Sequence, residues 1–195
     1  MNKFKAFLAV SAAAALALTG VTASDAATKK TLTVGMIADV NSFDTTASEY
    51  GNRNLYYQTV YDGLLQATPD GGLKPMLATK WSYNAAQTVL TLDLRSDVKF
   101  TDGTKLDAAA VVKSLTLFSK GKSPDASNLS SMKSAVAKGA QVVITLKASD
   151  PAFLNYLARN AGLISSAKSV GTAAAKTTPV GSGPYTLNKL KTKFG

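Results

Sequence analysis

Ala78–Leu115 reads ATKWSYNAAQTVLTLDLRSDVKFTDGTKLDAAAVVKSL. Within it, Thr88–Leu94 alternates strictly. Leu90, Leu92 and Leu94 fall on one face, with Val89, Thr91 and Asp93 on the other. That is the pattern of a strand with one buried side. Asp102-Gly103 predicts a turn. Asp107 is a good N-cap for a helix over Ala108–Phe118, whose stripe of Val111, Val112, Leu115 and Phe118 predicts a core-facing side. Trp81, just upstream, is read as closing a short helical turn.

The same reading extends in both directions. Thr31–Ala38 alternates β-branched and small residues and is expected to form a first strand. Asp39–Asp44 is a turn-forming loop. Gly51–Leu65 has helical spacing, Pro69-Asp70-Gly71-Gly72 is a turn, and Pro75 suits the first turn of a short helix. Met132–Lys138 and Gln141–Lys147 flank Gly139-Ala140 as a hairpin. A short helix is expected over Ala152–Arg159, a loop or frayed helix over Ser165–Thr178, and a strand over Tyr185–Leu190.

Composition narrows the chemistry. Of 195 residues, 46% are hydrophobic and 17% charged, enough apolar material for a core and too little charge for a disordered chain. With no cysteine, disulfides and thiolate metal sites are out of reach. With no histidine, the commonest general base and metal ligand are missing. The net charge of +10 comes mostly from singly scattered lysines. They are read as a solubilising coat, and no basic run with interleaved aromatics suggests nucleic-acid binding.

At the N-terminus, Lys3 and Lys5 precede the apolar run Ala6–Gly20, followed by Val21-Thr22-Ala23. This is the pattern of a cleaved secretion signal over residues 1–23, with 24–30 a polar leader. The 15-residue run is short of the roughly 20 residues that span a bilayer.

Catalytic motifs are weak. Ser-x-x-Lys occurs at Ser96, Ser119, Ser130 and Ser165, without the Lys-Thr-Gly and Ser-Asp-Asn elements that accompany it in hydrolases. No phosphate loop or calcium loop is present. The tyrosines and the tryptophan of the first third suit a cleft wall, but Tyr57, Tyr61 and Trp81 are better read as core.

Four motifs carry a resemblance. They are Tyr61-Asp62-Gly63-Leu64-Leu65, Leu73-Lys74-Pro75-Met76-Leu77-Ala78, the Leu92–Gly103 stretch ending in Lys-Phe-Thr-Asp-Gly, and Pro179-Val180-Gly181-Ser182-Gly183-Pro184-Tyr185. In this order and spacing they resemble the family-five extracellular solute-binding proteins of peptide and nickel ABC importers. Three departures stand out. Phe43-Asp44-Thr45 lacks the family's Pro. Ala109 and Ala110 replace two acids at the helix start. Val21 stands where many relatives have a lipidated Cys, so the resemblance implies a released, non-lipidated protein in the periplasm or the medium.

The resemblance implies an α/β fold of the periplasmic-binding-protein-like class II. Residues 31–195 would form the N-terminal part of the solute-binding domain: an incomplete first lobe with a mixed or antiparallel sheet subdomain, the second lobe being absent. It implies a monomeric, non-enzymatic receptor that needs no cofactor or metal. Its partners would be a peptide or other small-molecule solute and the permease subunits of an ABC importer. The loop after the first strand would face the ligand, through Asp39, Val40, Asn41 and Phe43. Asp39 would meet an amine and Asn41 a peptide group. The Gly181–Pro184 turn would be a hinge or a rigid turn near the cleft floor. The competing reading is a secreted surface module whose lysines hold anionic wall polymers.

Overall fold

The structure, a computed structural model, describes residues 31–188. The expected signal peptide, the polar leader and the last residues of the Tyr185–Leu190 strand lie outside that range. The chain divides into a leading segment ending at Val34 and a unit from Gly35 onward.

In the second unit, four strands form an antiparallel sheet in the order β3-β4-β6-β5. They are β3 (Ala78–Tyr83), β4 (Val89–Leu94), β5 (Met132–Lys138) and β6 (Gln141–Leu146). The alternation in β4 works as expected. Leu90 and Leu92 are fully buried and pair with Ile144 and Val142, which are equally buried. The opposite row, Val89, Thr91, Val143 and Thr145, is only half covered. One row of β-branched and leucine side chains therefore makes the core surface, and a one-residue slip would expose all of it.

Helix α2 (Ala108–Ser119) packs against β5 and β6 through Val111, Leu115 and Phe118. Its start is fixed by Asp107, whose carboxylate accepts the Ala110 N–H at 2.7 Å. The expected hairpin is present, with Gly139 at φ +61° in the connection, a conformation that favours glycine. Helix α1 (Asn54–Val60), the short ladder β1 (Leu65–Ala67)–β2 (Leu73–Pro75) and helix α3 (Phe153–Leu157) complete the unit.

Several local expectations give way to pairing. The helix expected over Gly51–Leu65 stops at Val60. Tyr61 turns extended (φ −123°, ψ 136°), and the next residues join another segment. The Leu64 N–H reaches the Gly162 carbonyl at 2.9 Å, and the Ile164 N–H reaches the Asp62 carbonyl at 3.1 Å. Pro75 ends a strand at a ladder edge, where its missing N–H does no harm. Trp81 lies in mid-strand, opposite Leu92. Trp81 and Tyr83 share a face, so the period is two rather than helical. Thr31–Ala38 forms no strand. Leu32, Val34 and Ile37 are 79%, 51% and 85% exposed. A strand exists only against a partner, and among the described residues none pairs with this segment.

The recognised motifs meet in space. The Thr101 N–H donates to the Gly181 carbonyl at 2.9 Å, and the Gly183 N–H donates to the Val60 carbonyl at 3.1 Å. A Cβ on Gly181 would overlap that Val60 carbonyl. Glycine is needed here for close backbone approach rather than for an unusual φ. The Pro179–Tyr185 segment thus clasps the C-terminal end of α1, as a rigid turn would.

Candidate functional site

A cavity of about 430 Å³ opens between α1, β1 and the segment following α3. Its floor is apolar, built from Leu65, Met76, Ala158 and Leu163. Its polar groups are Tyr50, Asn54, Gln58, Gln66 and Arg159. Gln58, Gln66 and Arg159 are exposed, whereas Asn54 and Tyr50 are partly covered. The crossing of Asp62–Leu64 with Gly162–Ile164 holds the two walls in register.

One contact gives the cavity chemical character. The Arg159 guanidinium lies over the Tyr50 ring, 4.9 Å from its centroid, and makes no ion pair among the described residues. Such a cation–π contact orients the guanidinium while leaving its N–H donors available. The side-chain oxygen of Asn54 is buried beneath the surface of the wall and has no hydrogen-bond partner, a cost borne by the fold.

A partly buried network stands behind this wall. Asp125 accepts the Tyr50 N–H at 2.9 Å and the Asn160 side-chain amide at 2.8 Å. That amide also reaches the Ser48 carbonyl at 3.1 Å. Tyr50 and the Arg159–Asn160 corner are therefore tied to one carboxylate that is itself outside the cavity lining.

The residues expected from sequence to contact ligand separate. Phe43 is buried, edge-on to Tyr57 at 6.4 Å between centroids, and its carbonyl accepts the Tyr61 hydroxyl at 2.9 Å. Val40 is buried in the same small cluster with Val60, Tyr61 and Leu163. Asp39 and Asn41 are exposed. The Asp39 backbone carbonyl accepts Arg53 Nε at 2.7 Å, and Asn41 lines a second cavity with Glu49, Arg53, Tyr57, Lys122 and Lys176. None of the four lines the cavity that holds Arg159. Sequence reading did not single out Asn54 or Arg159, which line it. Their one sequence signal is that Arg159 is among only three arginines in the chain.

Burial pushes the Tyr61 phenol well above its usual range, so it remains a hydrogen-bond donor at neutral pH. Ser165 is buried and donates to the Val180 carbonyl at 3.0 Å, so its hydroxyl is committed to the fold. Among the described residues there is no cluster of three or more acidic side chains suited to a metal, and no helix is long and apolar enough to cross a membrane.

Comparison with known proteins adds to this geometry. Residues 72–193 match the family model described as bacterial extracellular solute-binding proteins, family 5 Middle. The glutathione-binding protein GsiB of Salmonella paratyphi A is 32% identical over 184 residues, covering 88% of this chain and 35% of that protein. The fold superposes on NikA from Brucella suis, solved in complex with Fe(III)-EDTA. The TM-score is 0.68 and the identity 27%, over 80% of this chain and 32% of that one. A dipeptide-binding protein from Pseudoalteromonas sp. SM9913 shares the fold at a TM-score of 0.68 and 21% identity, over 76% of this chain and 35% of that one. This chain spans about a third of the length of these relatives. The antiparallel sheet, the helices on it and the motif order all agree with the family match: the chain belongs to the bacterial extracellular solute-binding proteins of family 5.

Proposed function

We propose that this chain is the solute-capturing component of an ABC importer, working outside the membrane as a monomer and delivering an oligopeptide or related solute to permease subunits. The observation that carries this reading is the cavity at the crossing of Tyr61–Leu65 and Gly162–Ile164, in a fold shared with solute-binding proteins. A pocket with an apolar floor and a few polar groups at its edge is what a small-molecule site requires. Glutathione, an Fe(III)-EDTA complex and a Met-Leu dipeptide go with different relatives. The relatives thus support solute capture as a class and leave the particular solute to this chain's own residues.

The described residues supply the two walls and the floor of the cavity. Asp39 and Asn41 remain candidates for contacts at its periphery. The role is binding without covalent chemistry: the cavity lining holds no carboxylate to act as a base, and of the Ser-x-x-Lys serines Ser119 and Ser165 donate to backbone carbonyls. Secretion through residues 1–23 without lipidation belongs to the same reading. The wall-polymer alternative has only the scattered lysines behind it.

Isotope-labelled chain titrated with a mixed di- and tripeptide library tests the proposal. Amide shifts concentrated at Tyr50, Asn54, Gln58 and Arg159 are expected, with dissociation constants of about a millimolar for a site open to water. Shifts confined to the outer face of the sheet, or no shift at 10-fold higher peptide concentration (about 10 mM), would overturn it.

A further inference from the structure

We propose that Asp125, which lies outside the cavity lining, is a positioning residue of the solute site: its carboxylate holds Tyr50 and the Arg159 corner at one separation and so sets how tightly the cavity binds. The proposal rests on the reading of this cavity as the solute site.

The two walls of the cavity are joined at both ends of α1. After α1 the join is backbone pairing, with the Leu64 N–H on the Gly162 carbonyl and the Ile164 N–H on the Asp62 carbonyl. Before α1 the join runs through a third segment, the one that follows α2. There Asp125 Oδ2 accepts both the Tyr50 N–H at 2.9 Å and the Asn160 side-chain amide at 2.8 Å. One oxygen atom thus holds a residue of each wall: Tyr50 directly, and Arg159 through its neighbour Asn160. Asp125 makes no ion pair among the described residues. Bonds to a carboxylate are stronger than bonds to a neutral oxygen.

The two sides of this join depend on Asp125 unequally. Asn160 is fully buried, and its amide also reaches the Ser48 carbonyl at 3.1 Å, which accepts the Ser123 hydroxyl as well. Those bonds keep the Arg159–Asn160 corner on the fold without Asp125. The Tyr50 N–H, by contrast, has Asp125 as its one acceptor among the described residues. Tyr50 carries the ring on which the Arg159 guanidinium rests, 4.9 Å from the centroid. Loss of the carboxylate therefore frees the ring side of that contact first. Both groups line the cavity, and a binding group whose support is removed becomes too loose for its task.

The test uses the full chain titrated with the di- and tripeptide mixture. One readout is the Arg159 Nε–H resonance, displaced by the ring current of Tyr50. The other is the apparent dissociation constant from amide shifts at Gln58 and Leu163. Asp125→Ala should return the Nε–H resonance toward its free-arginine position and weaken binding about tenfold, the equivalent of one lost hydrogen bond. Asp125→Asn, whose single carbonyl oxygen can take both donors, should restore most of both readouts. Asp107→Ala removes the α2 cap and should lower stability while moving neither readout, which separates positioning from general loosening. Should Asp125→Ala not fold, Asp125→Glu carries the test: its carboxylate, displaced by one methylene, should move the Arg159 resonance and weaken binding. Either readout unmoved in the variant that folds, or moved as much by Asp107→Ala, would overturn the proposal and leave solute capture standing. Silence at Gln58 and Leu163 in the parent chain toward the whole mixture would overturn both.

Discussion

At the residue scale, the chain depends on a few atoms whose roles are unequal. The Tyr61 hydroxyl donates to the Phe43 carbonyl inside a fully covered cluster. Tyr61→Phe removes that buried bond, so it should cost about 1 kcal/mol in urea denaturation. Gly181 is tighter still. Any side chain there would run into the Val60 carbonyl, so Gly181→Ala should cost about 2–3 kcal/mol by forcing the clasp off α1. A cost below 0.5 kcal/mol (roughly the scale of a neutral surface change) would mean that the clasp is looser than drawn. The motif containing Gly181 was readable in the sequence as a family resemblance. Its physical reason was not, because the clashing atom belongs to a residue about 120 positions away and no local pattern encodes that distance.

At the element scale, β4, α2 and the β5–β6 hairpin were legible because each carries its own signal: strict alternation, an Asp cap with an apolar stripe, and a glycine-centred turn between matched runs. Asp107→Ala should lower stability by about 1 kcal/mol through loss of the cap, and Leu115→Ala by about 2–5 kcal/mol through a cavity beneath α2. Thermal melts of the two variants would check the order of these effects. The elements that were misread share one cause. The Trp81 segment, the end of α1 and the Thr31–Ala38 stretch take their conformation from the presence or absence of a hydrogen-bonding partner distant in sequence. Helical spacing over Gly51–Leu65 was real, yet pairing of Asp62–Leu64 with Gly162–Ile164 outweighed it. The candidate site was less legible for the same reason. Val40 and Phe43 were expected at the ligand by resemblance, but their apolar side chains are buried in the core. Asn54 and Arg159 come together only through the fold.

At the scale of the whole molecule, buried phenols give the chain a pH limit. Desolvation by burial raises Tyr57, Tyr61 and Tyr83 above the ordinary value of 10.0. Below that value both folded and unfolded chains keep these protons, so the full stability is present. Above it the unfolded chain ionises first, and stability falls as pH rises. The urea midpoint should therefore be flat through neutrality and decline above about pH 10. The decline should be shallower in Tyr61→Phe. A midpoint indifferent to pH up to 12 (about two units above a free phenol) would contradict the burial.

The central claim is that the cavity between α1, β1 and the segment after α3 is where solute meets this chain. A short peptide carrying a photoactivatable diazirine at its last side chain, irradiated with the protein and mapped by mass spectrometry, tests it most directly. The account predicts labels within Tyr50–Ala67 and Ala158–Leu163, competed away by unlabelled peptide. Labels that resist competition, or that fall on the outer face of β4 and β6 instead, would contradict it.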